Sequence, residues 1–101
     1  MQRLVEQPVD DGVVFEGRVR LGLVHYHLAV YQYFPGSGDE PVPANLEIEG
    51  RIIGIGALDV AALPRRESEL TLQLADGRRL DFLVNNDKGT IRSTGRGLYL
   101  Q

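Results

Sequence analysis

His25 and His27 are the only two histidines of the 101-residue chain, and they stand two positions apart. On an extended strand, residues at i and i+2 share a face, so both imidazoles could reach one metal ion, and zinc would want one or two further ligands. Glu47 and Glu49 are the nearest carboxylates in the expected strand pairing. That pairing sets them opposite Tyr33 and Tyr31, roughly 10 Å or more from the histidines at about 3.3 Å per residue. This is too far for shared ligation. The histidines therefore read as a pair on a half-exposed face or at an oligomer contact, and no metal or cofactor is expected. A small-molecule or metal-binding barrel using His25 and His27 stands as one alternative.

Other chemistry has less behind it. With no Cys in the chain, thiolate nucleophiles, disulfides and Cys-based zinc sites are excluded. The three serines are Ser37, Ser68 and Ser93; none lies in a nucleophile-elbow context, and the last two fall at inward strand positions. Gly54-Ile55-Gly56 opens like a dinucleotide fingerprint, but Asp59 stands where the third glycine belongs and Pro64 stops a following helix. No enzyme is expected.

Tyr31 and Tyr33 point out from the same strand face as the histidines. Beside the aliphatics Leu23, Ala29 and Ile53 they suggest a contact patch for a second copy or another protein. Arg51, on the neighbouring strand, is expected on the same side. His25, His27, Tyr31, Tyr33 and Arg51 thus form the candidate interaction surface. A second alternative is an OB-type binder of single-stranded nucleic acid or oligosaccharide, because such barrels present aromatics on a basic face. The net charge of −3, with Glu47 and Glu49 flanking the tyrosines, weighs against phosphate contacts, and a nucleic-acid partner is disfavoured.

These side chains need a strand to hold them. Residues 23–34 are the longest run without a breaker, with Val24, Tyr26, Leu28 and Val30 on one face. Residues 13–20 alternate before it, closing at Leu21-Gly22. That register pairs Val19 with Val24, Gly17 with Tyr26 and Phe15 with Leu28, although a tight turn there asks Leu21 for positive φ. Residues 46–53 alternate after it, with Phe34 meeting Leu46, Val30 meeting Gly50, Tyr33 beside Glu47, Tyr31 beside Glu49 and Ala29 beside Arg51. Residues 35–45 hold three of the five prolines and read as a mobile hairpin loop; residues 1–12, ending in a turn cluster, read as a tail or edge strand. Asp59 is a plausible cap for a short helical turn near 57–63, from which Leu58, Ala62 and Leu63 would plug the barrel.

The second half carries a tighter register argument. A two-residue Asp76-Gly77 loop would oppose Leu72 to Asp81. A three-residue loop with Gly77 left-handed pairs Leu72 with Leu80 and Leu70 with Phe82 instead. The four-residue loop 86–89 then brings Val84 to Ile91, and Gly95-Arg96-Gly97 allows a kink before a closing strand.

Together these segments predict an all-β domain over 1–101: an antiparallel meander of six to seven strands in a small barrel or highly twisted sheet. At 12 glycines and 43% hydrophobic residues the composition suits one soluble domain with frequent turns. No apolar run approaches the roughly 20 residues of a membrane span, so no membrane partner is expected. Without an apolar leader near the N-terminus, a cytoplasmic location is the default. The first fifty residues carry three Arg against eight acids, the remainder eight Lys or Arg against six. The expected function is a non-enzymatic binding domain, a homo-oligomer or protein binder acting through the outer face of strand 23–34.

Overall fold

The computed structural model describes residues 2–33, 46–66 and 68–100. Seven strands follow one another: β1 (Gln2–Glu6), β2 (Val9–Glu16), β3 (Val19–Tyr33), β4 (Leu46–Ile55), β5 (Leu70–Gln73), β6 (Arg79–Val84) and β7 (Thr90–Tyr99), with a 3-10 helix at Val60–Arg66 between β4 and β5. β2, β3 and β4 form one antiparallel meander and β5, β6 and β7 a second. Pairing of β2 with β5 and of β4 with β7 joins the two into a closed six-stranded barrel. The barrel of an OB-type fold has five strands; this one has six. Expected loop 35–45 lies outside the described residues, and Leu46, expected opposite Phe34, pairs with Gln32 instead.

β3 is the spine. β1 and β2 run end to end along one of its edges, from Gln2 opposite Tyr33 to Glu16 opposite Val19. Pro8 stands at the join: it lacks an N–H to offer the ladder, but its carbonyl accepts the Leu28 N–H at 2.9 Å. The edge-strand expectation thus holds for residues 2–6, while Val9 to Gly12 belong to β2 rather than to a turn.

The β2–β3 turn is not at Leu21-Gly22. It lies at Gly17-Arg18, where Gly17 takes φ 60°, a conformation that costs a Leu roughly 1–2 kcal/mol. Glu16 then pairs with Val19 and Gly12 with Val24, and an irregularity between Val14 and Phe15 leaves Leu21 without a partner. This bulge reverses the facing of the residues nearest the turn. Val14 is fully buried, whereas Val19, expected inside, is exposed. The glycine beside Tyr26 is Gly12 rather than the expected Gly17: a Cβ there would lie 3.1 Å from the Tyr26 ring and 2.5 Å from the Gln73 carbonyl oxygen.

β4 runs two residues beyond its expected end, and its register is displaced by two: Val30 meets Ile48, Leu28 meets Gly50, and Tyr31, Ala29 and His27 meet Glu47, Glu49 and Arg51. A slip of two preserves every facing, so the inward and outward sets survive the correction. Close approach selects the observed register. Gly50 passes so near β3 that a Cβ would sit 2.1 Å from the His27 carbonyl oxygen.

The second meander follows the expected register, with Leu70 opposite Phe82, Leu72 opposite Leu80 and Val84 opposite Ile91. Gly77 has φ 94°, and the Leu74 N–H reaches the Arg78 carbonyl at 2.7 Å to close the hairpin. The kink appears as a register break between Leu80 and Phe82, within one continuous β7. The helical turn lies at 60–66 rather than near 57–63, with Pro64 inside it. Asp59 does cap it, its Oδ1 accepting the Ala61 N–H at 3.1 Å. Three residues per turn put Val60 and Leu63 on one side. Leu63 is buried, with Leu58 and Val60 against the core, while Ala62 is exposed and plugs nothing.

Candidate interaction surface

The barrel interior takes Val24, Tyr26, Leu28 and Val30 of β3. Alternation therefore sends Leu23, His25, His27, Ala29 and Tyr31 outward. Register places them between β2 and β4 in successive rows: Val13, Leu23 and Ile55; Asp11, His25 and Ile53; Val9, His27 and Arg51. Beyond these, Ala29 adjoins Glu49, and Tyr31 lies between Leu4 of β1 and Glu47.

The outer rows are more apolar than a solvated sheet face. Val9 is 49% exposed, Leu23 40%, Ile53 52% and Ile55 37%. Within this patch Asp11 Oδ1 lies 2.7 Å from His25 Nδ1. An ionised carboxylate can only accept, so Nδ1 carries the hydrogen when the ring is neutral. The two imidazoles meet edge to face, with centroids 5.1 Å apart and planes at 70°. At the charged end, Arg92 reaches Glu47 at 3.2 Å, and Arg51 Nε donates to the Lys88 carbonyl at 3.3 Å.

Of the expected surface residues, His25, His27, Tyr31 and Arg51 share this face, with Arg51 beside His27 rather than beside Ala29. Tyr33 pairs with Gln2, and its side chain lies outside what is described. Val9, Asp11, Val13 and Ile55 are contributors that alternation along β3 alone does not reveal. They enter through the β2 register and the longer β4. Among the described residues no group of three or more His, Cys, Asp or Glu could hold a metal ion, and no helix is long and apolar enough to cross a membrane.

Elsewhere the polar groups are tied into the fold. Ser93 Oγ accepts the Ile48 N–H at 3.3 Å, and Ser68 precedes β5 rather than lying on a strand. Gly54 and Ile55 belong to antiparallel β4. Asp81, nearly buried on the outer side of β6, accepts the Thr71 hydroxyl at 2.9 Å and the Tyr99 hydroxyl at 2.6 Å. A depression of about 270 Å³ at the β4–β7 junction is lined by Glu49, Asn85, Thr90 and Arg92 among others.

A second, of about 200 Å³, sits by Tyr26 and Arg78. Here Tyr26 Oη accepts the Ala75 N–H at 3.1 Å, and burial pushes the phenol up from its ordinary value. Arg78 spans Glu6, through Nη1 to Oε1 at 2.9 Å and a second bond, and Asp76, at 2.8 Å. This fork fastens β1 to the β5–β6 hairpin loop. Its hydrogen bonds hold the Glu6 carboxyl below the usual range. A depressed folded-state value means stability present above the unfolded value, about 4.3 for Glu, and lost as pH falls through the folded one. Glu6→Gln should therefore lower the unfolding free energy read from urea titration at neutral pH, by no more than about 1 kcal/mol for so exposed a pair. The gap from the parent should close on acidification below about pH 4; a gap that persists in acid would remove the clamp from the account.

No protein-family model, no curated protein and no solved structure matches this chain.

Proposed function

We propose that the chain is a non-enzymatic interaction domain that associates with a second copy of itself through the outer face of β2, β3 and β4. The observation that carries this reading is the run of exposed aliphatics, Val9, Leu23, Ile53 and Ile55, in adjacent rows of one sheet face. Contiguous patches of this kind, rimmed by polar residues, mark contact surfaces. The charge pattern supports a second copy as the partner. Asp11 with His25, and Glu47 with Arg92, are already paired within the chain, which limits what must be desolvated. Glu49 and Arg51 then bring one charge of each sign to the same end of the face. A surface bearing both signs complements itself across a two-fold axis. Three carboxylates on this face, Asp11, Glu47 and Glu49, weigh against a phosphate backbone as the ligand.

Light scattering over a concentration series tests the proposal: the mass should rise from 11.2 kDa toward twice that value. Tyr31→Ala removes an aromatic from the face and should weaken association by roughly tenfold, the loss of about 1.4 kcal/mol. A mass that stays monomeric at every concentration would overturn it.

A further inference from the structure

We propose that His25 and His27 form one half of a zinc-type metal site, which two copies of the chain complete between them. This rests on the second-copy reading above and adds a ligand to it. Both imidazoles project from β3 on its outer face, with ring centroids 5.1 Å apart. His25 is oriented from behind. Its Nδ1 is bonded to Asp11 at 2.7 Å, which leaves Nε2 as the lone-pair nitrogen of the neutral ring. A carboxylate holding the far nitrogen is the usual support of a metal-binding imidazole, fixing its tautomer and raising its basicity.

One chain stops short of a closed site. Among the described residues no third ligand joins the pair, whereas structural zinc takes four, arranged tetrahedrally. Two imidazoles from each of two stacked faces make four nitrogens. Sheets pack about 10 Å apart, a gap that an imidazole from each side, with Zn–N bonds of about 2 Å, can bridge. Val9 and Ile53 flank the histidines in register and would shield the ion from water. Arg51 beside His27 opposes a cation. Its Nε is engaged by the Lys88 carbonyl, and the Asp11 carboxylate supplies the compensating charge.

Sedimentation velocity and calorimetric titration of the untagged chain, in EDTA and in zinc chloride, test this. The expected result is one zinc per two chains and dimerisation tightened at least tenfold. In His27→Ala the zinc effect should vanish while association in EDTA persists. A chain that associates in EDTA and ignores zinc would overturn the metal site and leave the interface standing. Zinc binding one per chain with unchanged mass, or undiminished in His27→Ala, would also overturn it. A monomer in EDTA that dimerises with zinc would support the site and overturn the apolar patch as sufficient. A monomer under both conditions would overturn both.

Discussion

Gly50→Val is expected to unfold the barrel. A Cβ at this position would stand 2.1 Å from the His27 carbonyl oxygen and 2.9 Å from Leu28 Cα. Both are backbone atoms of β3, so no side-chain rotation relieves the clash, and β4 must part from β3 to admit even one carbon. The site also lies in one of the two short joins that close the barrel, each of three pairs. β4 meets β7 in only three pairs, Glu49 with Arg92, Gly50 with Ile91 and Arg51 with Thr90, and Gly50 is the middle one. Parting β4 from β3 there breaks the first meander and displaces the strand that pairs with β7 at one of the two joins between meanders. A cost of about 4 kcal/mol or more is expected, a large part of the roughly 5–15 kcal/mol available to a domain. Gly17→Ala is a useful contrast. Nothing lies within 4 Å of its Cβ, and only the positive φ is strained, at about 1–2 kcal/mol. Urea unfolding followed by circular dichroism orders the two. A Gly50→Val chain as stable as the parent would mean that β3 and β4 are not in the described register.

Leu23→Asp combined with Ile53→Asp should abolish self-association while the barrel persists. The two side chains lie in adjacent rows on neighbouring strands, Ile53 directly opposite His25 and Leu23 two residues before it on β3. In a docked face each Asp would leave water with no cation placed to receive it, and an unpaired buried charge costs several kcal/mol before any loss of apolar contact. Even about 2 kcal/mol at each site gives nearly a thousandfold weaker dimer. In the isolated barrel both positions face solvent, so the loss of stability should stay within the roughly 1 kcal/mol per site that strand preference spans. Thermal melting of the double variant alongside its sedimentation separates the outcomes. A folded variant that still dimerises would place the contact on another face.

The second meander was legible in the sequence because its turns constrain it. Only a loop with left-handed Gly77 keeps Leu70, Leu72, Leu80 and Phe82 on one face, and loop 86–89 then brings Val84 to Ile91. The first meander was less legible for two physical reasons. Alternation of period two fixes facing but not register, so a slip of two along β4 leaves the same residues outward and changes every neighbour. At the β2–β3 turn, facing and turn chemistry disagree unless a bulge is inserted. The turn at Gly17-Arg18 with Leu21 left over satisfies both, and no local signal at Leu21 announces it. The candidate surface inherits this division. His25, His27, Tyr31 and Arg51 point outward by alternation alone. The Asp11–His25 bond and the flanking Val9 and Ile55 depend on cross-strand register, which is a property of the assembled sheet.

The most direct test is methyl NMR of the wild-type chain, compared between dilute and concentrated solution. Concentration-dependent shifts or broadening are expected at Val9, Val13, Leu23, Ile53 and Ile55. The exposed methyls of Val19, Leu83 and Leu100 should stay unchanged. Spectra that do not change with concentration, or changes centred on Leu83 and Leu100, would contradict it.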